Sequence, residues 1–233
     1  MSEATISRRT ETAGDPGTWS ARAVTLAVDA AEPPRDAIAL ALRVARHFTA
    51  ALSGVLVEND ALLRAAGLPF TTEINRHSGT ERPFDAGTLE RRYRHAAREL
   101  HDLLGAQGAT AIDVRARRGE PARVVSECFA VSDILVIGRT PRSRWSTPPE
   151  TAPLRLDRLG TDRRRLDAVA AALQAAGRPW PWQTLRHDRD TVLAAQLRER
   201  RPSLVLADLG ESGADEQLRA LLEALDCPLV LLR

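Results

Sequence analysis

One short run constrains this chain more than any other: Asp133 to Gly138, which reads Asp-Ile-Leu-Val-Ile-Gly. Its middle residues are apolar on both faces of an extended backbone. A strand buried on both faces must be covered by helices on either side, and that arrangement belongs to a parallel sheet. Everything upstream agrees with alternating strands and helices. Ala23 to Asp29 is short, apolar and rich in β-branched residues, as buried strands are. After Pro33 and Pro34, apolar residues recur at Ala37, Leu40, Ala41, Val44, Ala45 and Phe48, the stripe of a helix packed on one side. Leu52 to Val57 is a second strand. Residues 58–85 are irregular, with a short helix expected over Asp60 to Ala66.

A second long helix is expected from Gly87 to Gln107, with Leu89, Tyr93, Ala96, Ala97, Leu100, Leu103 and Leu104 inward and glycines closing it. Ile112 to Arg117 is a strand. Pro121 then opens a helix at its first turn, where a missing N–H costs nothing. The order β-α-β-α-β-α-β predicts an α/β fold: a doubly wound, mostly parallel open sheet. An incomplete second α/β repeat follows. Residues 1–22 read as a disordered tail, 23–140 as the first domain, 141–160 as a Pro/Ser/Thr/Arg-rich linker and 161–233 as a degenerate second repeat.

The repeat is read from echoes at an offset of roughly 70 residues, a spacing apt for domain duplication rather than a solenoid. Arg91-Arg92 is echoed by Arg163-Arg164, Ile112 to Arg117 by Trp182 to Arg186, Val124-Val125 by Val192-Leu193, and Ser132 to Ile137 by Pro202 to Leu206. A helix over Asp215 to Leu225 and a strand over Pro228 to Leu232 complete the second copy. On this reading the first copy holds the front strands and the second the back ones.

Composition excludes several classes. All 33 basic residues are Arg, so the chain has no lysine for a Schiff base or a Walker phosphate loop. Net charge is +2, which points to neither nucleic acid nor membrane. Cys128 and Cys227 lie outside any CxxC and read as reduced thiols of a cytoplasmic protein. His47, His77, His95, His101 and His187 are scattered, with no metal-ligand spacing. No GxSxG nucleophile elbow occurs. Trp180 and Trp182 read as packing residues rather than base-stacking ones. No catalytic set emerges, and the chain is read as a non-enzyme.

Four segments in order resemble the universal stress protein family. They are Ala27 to Ala45 (AVDAAEPPRDAIALALRVA), Val57 to Ile74 (VENDALLRAAGLPFTTEI), Val114 to Arg139 (VRARRGEPARVVSECFAVSDILVIGR) and Leu225 to Arg233 (LDCPLVLLR). The resemblance implies a five-stranded parallel sheet with helices on both faces, dimerisation through the last strand, and a stress-linked role. One branch of the family binds ATP through G-x2-G-x9-G-[ST] after the fourth strand, where backbone N–H groups close on phosphates. Here that pattern falls on Gly138, then Pro141, then Thr151 followed by Ala152. In the second copy it falls on Ala207, Gly210 and Ala220 followed by Leu221. Asp29, matching the acidic residue after the family's first strand, and Gly138 are what remains as cofactor-binding candidates. No tight cofactor is expected; ATP is the one the resemblance admits. Arg139, Arg142 and Arg144 read as a solvated linker, with anion binding at the strand end as the alternative.

The sequence thus points to a non-catalytic protein of stress-response type, acting through association as a homodimer or as an intrachain pseudo-dimer. The alternative is a sensor of nucleotides or small anions at the carboxyl end of the sheet.

Overall fold

A computed structural model describes residues 19–30, 35–74, 79–106, 112–138, 152–158, 162–174, 181–187, 190–210 and 214–233. The first half runs β1 (Ala23–Asp29), α1 (Arg35–Phe48), β2 (Ala51–Asn59), α2 (Asp60–Ala66), β3 (Thr72–Ile74), β4 (Glu81–Pro83), α3 (Ala86–Ala106), β5 (Ile112–Gly119), α4 (Pro121–Phe129) and β6 (Ile134–Gly138). The second runs β7 (Leu154–Arg158), α5 (Arg163–Gln174), β8 (Gln183–His187), α6 (Asp190–Arg200), β9 (Val205–Asp208), α7 (Ala214–Ala224) and β10 (Leu229–Leu232).

The local chemistry explains the boundaries. Asn59 caps α2 by accepting the Ala61 N–H through its side chain at 2.9 Å. Asp85 does the same for α3, taking the Thr88 N–H at 2.8 Å. Pro121 occupies the first turn of α4. The buried face of α1 is wider than one stripe, with Ile38 and Leu42 also inside, because α1 packs on both the sheet and α5.

Eight strands form one sheet in the order β5-β2-β1-β6-β10-β9-β7-β8; β3 and β4 make a separate hairpin. Neighbours are parallel throughout except at one seam, where β10 runs antiparallel to β6. The sheet is therefore two parallel four-strand blocks joined there, one from each half of the chain. Residues of α1, α3 and α5 bury one face of it, and residues of α4, α6 and α7 bury the other. Every residue of β6 and of β10 is buried, as the doubly apolar run requires.

In the first block the chain winds outward from β1 through β2 to β5, with α1 and α3 on one face. It then crosses the other face through α4 and lands at β6. The second block starts at β7, steps outward to β8 over α5, and returns through α6 to β9 on the far side of β7.

Four readings need correction. Residues 154–158, placed in the linker, form β7, the strand from which the second block winds. Their pattern Leu-Arg-Leu-Asp-Arg puts the charged Arg155 and Asp157 on the face opposite Leu154 and Leu156, unlike the doubly apolar strand taken as the sign of a sheet interior. The second half accordingly has its own front strand, and α5 stands where α1 stands, not α3. What it lacks, among the described residues, is an outer third strand. The last strand is no edge: β10 pairs with β6 on one side and β9 on the other. Finally, the expected tail is ordered from Trp19, whose ring meets Phe48 edge-on at 5.3 Å, and Ala21 is buried.

Candidate functional site

Open α/β sheets bind ligands outside the carboxyl ends of strands, where the winding reverses. In the first block that point lies between β1 and β6. Val28 and Gly138 are register partners there, and Asp29 is the next residue of β1. The two sequence candidates are therefore brought together: Asp29 is exposed and Gly138 is buried beside it. Tyr93 of α3 shares the neighbourhood. Burial pushes its phenol above the ordinary range, and the Asp29 charge adds to the push. Pro141, Thr151, Arg139, Arg142 and Arg144 lie outside the described residues.

The second-copy signature lands on unrelated structure. Ala207 is buried inside β9. Gly210 has φ +61, a backbone conformation that favours glycine, and its N–H is taken by the Asp208 carboxylate at 3.1 Å. Ala220 and Leu221 sit within α7, with Leu221 in the core. No phosphate-closing turn is built from these four positions.

Asp208, at the end of β9, is held from two sides. Arg165 of α5 lies 3.6 Å from its carboxylate. Burial raises the Asp208 pKa, and the Arg165 charge opposes that shift. Arg165 in turn stacks over Trp19 at 5.1 Å and donates to the Arg233 carbonyl. This cluster ties α5, the chain end and the segment before β1 together, which is a structural task.

A different group of side chains lines a cavity of about 550 Å³ over β7 and β8: Arg155, Asp157, Arg163, Thr184 and Arg186. Register pairs Arg155 with Thr184 and Asp157 with Arg186, so all four project from the same side of the sheet. Arg163 comes from the first turn of α5. Asp157 is only 6% exposed. Its carboxylate meets Arg163 at 2.9 Å and 3.4 Å and Arg186 at 3.8 Å. Arg155 is paired with the exposed Asp167. Sequence reasoning missed this group. The period-two pattern of 154–158 and 183–187, with Leu154, Leu156 and Leu185 on one face and charged or polar residues on the other, was the available signal.

Among the described residues no group of His, Cys, Asp and Glu could hold a metal ion, and no helix is long and apolar enough to cross a membrane.

The fold defines a doubly wound α/β protein whose two halves share one sheet. No family model matches the chain, and no curated protein does. Among the solved structures similar to it are two universal stress proteins. A universal stress protein in complex with cAMP is 17% identical, with a TM-score of 0.34 over 72% of this chain and 98% of that one. A universal stress protein from Archaeoglobus fulgidus DSM 4304 is 9% identical, with a TM-score of 0.38 over 91% and 96%. At such scores and identities neither neighbour defines the class; the sheet order and the two helix layers do.

Proposed function

We propose that this chain is a non-catalytic, universal-stress-type protein of the cytoplasm whose two halves form a pseudo-dimer within one polypeptide. It acts in stress response by associating with partner proteins, without tight ATP binding. The observation that carries this reading is the antiparallel pairing of β10 with β6. A two-fold-related pair of parallel sheets meeting edge to edge would produce such a seam, and here one chain supplies both sides. The four family-like segments and the degenerate glycine pattern agree with it. So does the second half, which winds from its own front strand as the first does but, among the described residues, lacks a counterpart of the outer strand β5.

Two measurements test the proposal. Sedimentation should give a monomer whose mass does not change with concentration; a dimer would overturn the intrachain reading. Backbone amide NMR with ATP and AMP at millimolar concentration should show no shifts around Asp29 and Gly138. A ligand at a hundredfold excess over its Kd would add about 2.7 kcal/mol, so stabilisation of that size accompanied by amide shifts around Asp29 would favour the second reading.

That second reading is a nucleotide or small-anion sensor. The adjacency of Asp29 and Gly138 at the point where the winding reverses supports it.

A further inference from the structure

We propose that the cavity lined by Arg155, Asp157, Arg163, Thr184 and Arg186 binds a phosphoryl group, either free phosphate or the phosphate of a nucleoside monophosphate. This site lies in the second half, apart from the Asp29 and Gly138 crevice.

The two blocks are covered differently. In the first, α3 packs on β2 and β5 and buries Leu89, Tyr93, Ala96, Leu100 and Leu104 in the core on the α1 side. In the second, α6, the helix after β8, buries Leu193 and Leu197 in the opposite core. Among the described residues no helix does for β8 what α3 does for β2. An uncovered sheet face would be expected to turn polar, and that alone would be unremarkable. The arrangement here is more specific. A charged side chain is buried at Asp157, and guanidinium groups shield it.

Charge decides the ligand class. Arg163 and Arg186 converge on one carboxylate, so Asp157 neutralises one of two positive charges. Arg155 is matched by Asp167, which stands 64% exposed at the rim. Among the described residues, one positive charge at the cavity is left without a carboxylate of its own. Arginine forks fit phosphate oxygens in pairs, and the Thr184 hydroxyl supplies one more donor. Asp157 serves to hold the Arg163 fork in place before the anion arrives.

The lining also says what is not read. Among the described residues it holds no aromatic or aliphatic side chain on which a base could stack. Recognition is therefore of the phosphoryl group, and a nucleoside attached to it goes unread. The volume lies within the range of small-ligand sites.

The test is a titration of the full chain with inorganic phosphate, AMP and adenosine. Backbone amide NMR shifts and thermal unfolding are followed at constant ionic strength set with chloride. Phosphate and AMP should both saturate, move amides of β7 and β8, and raise the unfolding temperature; adenosine should do neither. AMP binding far more tightly than phosphate, or adenosine binding, would overturn the claim that the base goes unread. Arg186 is 77% exposed, so Arg186→Gln should fold normally and weaken phosphate about tenfold. Thr184→Val should weaken it less. A phosphate response no greater than the chloride control, or one unchanged in both variants, overturns the proposal.

Discussion

Val230 of β10 lies opposite Val136 of β6 on antiparallel strands, at the centre of the seam that joins the two halves. Both are fully buried. The seam closes what would otherwise be two open edges, each a template for unwanted pairing. Next to this pair, Leu231 is in register with Leu135 and packs into the core shared by α4, α6 and α7. Leu231→Ala should cost about 2–5 kcal/mol, the range for a leucine deleted from a packed core. Urea unfolding followed by circular dichroism measures it. One cooperative transition is expected, because neither block can lose the seam without exposing apolar surface. Two separated transitions would show that the halves fold independently.

Asp133 makes the second testable junction. Its carboxylate accepts the N–H groups of Arg22 at 2.7 Å and Ala23 at 3.0 Å, and its carbonyl accepts the N–H of Arg233. One residue thus fixes the starts of β1 and β6 and the end of β10. Asp133→Ala should lose about 1–3 kcal/mol, since the part-buried Ala23 donor and the exposed Arg22 donor both lose a charged acceptor. Asp133→Asn keeps one side-chain oxygen and should lose less. Equal losses in the two variants would mean that the hydrogen bonds are not what Asp133 contributes.

How much of this was legible in the sequence depends on which signal each element carried. Ile134 to Ile137 is apolar on both faces, and such a run has few homes besides a covered parallel strand. The apolar stripes of α1 and α3 were equally plain. Leu154 to Arg158 carried a weaker signal. Its alternation marks a strand with one polar face, but Pro148, Pro149 and Pro153 just before it read as linker. That single misreading displaced the whole second half by one strand. It hid the cavity too, because Asp157 and Arg186 are 29 residues apart and meet only once β7 and β8 are paired. Asp29 and Gly138 were found together because a family resemblance named both. Tyr93, whose phenol senses Asp29, read simply as a core position of α3.

A third prediction concerns the hairpin of β3 and β4. Glu73 on β3 and Arg92 on α3 form a two-pronged pair at 2.9 Å and 2.7 Å. The Arg92 hydrogen bonds hold the Glu73 carboxyl below its ordinary range. A carboxylate with a depressed folded pKa adds stability above its unfolded value, and that stability is lost as pH falls through the folded value. Both side chains are 41% exposed, so solvent screens the pair strongly. A double-mutant cycle of Glu73→Gln and Arg92→Gln should give a coupling of about 0.2–1 kcal/mol at neutral pH. The coupling should vanish in strong acid and shrink in high salt. Coupling that survives acid would assign it to packing rather than charge.

The thiols give a fourth prediction. Cys128 and Cys227 are both buried, and neither is in a disulfide. Burial raises the Cys128 pKa, with the nearby Arg117 charge pulling the other way. Thiolate is the reactive form, so a buried thiol with a raised pKa resists modification. The native chain should leave both cysteines unlabelled by a thiol-exchange dye at mildly alkaline pH, and urea should release two equivalents. Fast labelling of native Cys128 would place it at the surface and contradict the packing of α4 against the sheet.

The fifth prediction follows from Asp208, whose carboxyl is raised by burial against the opposing pull of Arg165. An acid with a raised folded pKa holds its proton more tightly in the native state than in the unfolded one. Its contribution to stability therefore grows as pH is lowered through the folded value, and it is complete below the ordinary aspartate value of about 3.9. Above the folded value Asp208 is ionised in both states, and the native state bears the cost of the buried charge. Asp208→Asn removes that charge while keeping an oxygen for the Gly210 N–H. Arg165 keeps its stacking on Trp19 and its bond to the Arg233 carbonyl. The variant should be more stable than the parent chain at pH 7, and the difference should narrow steadily as the solution is acidified. Urea midpoints for both chains across a pH series measure this directly. A difference that stays constant, or widens in acid, would mean that Arg165 more than offsets the cost of burying Asp208.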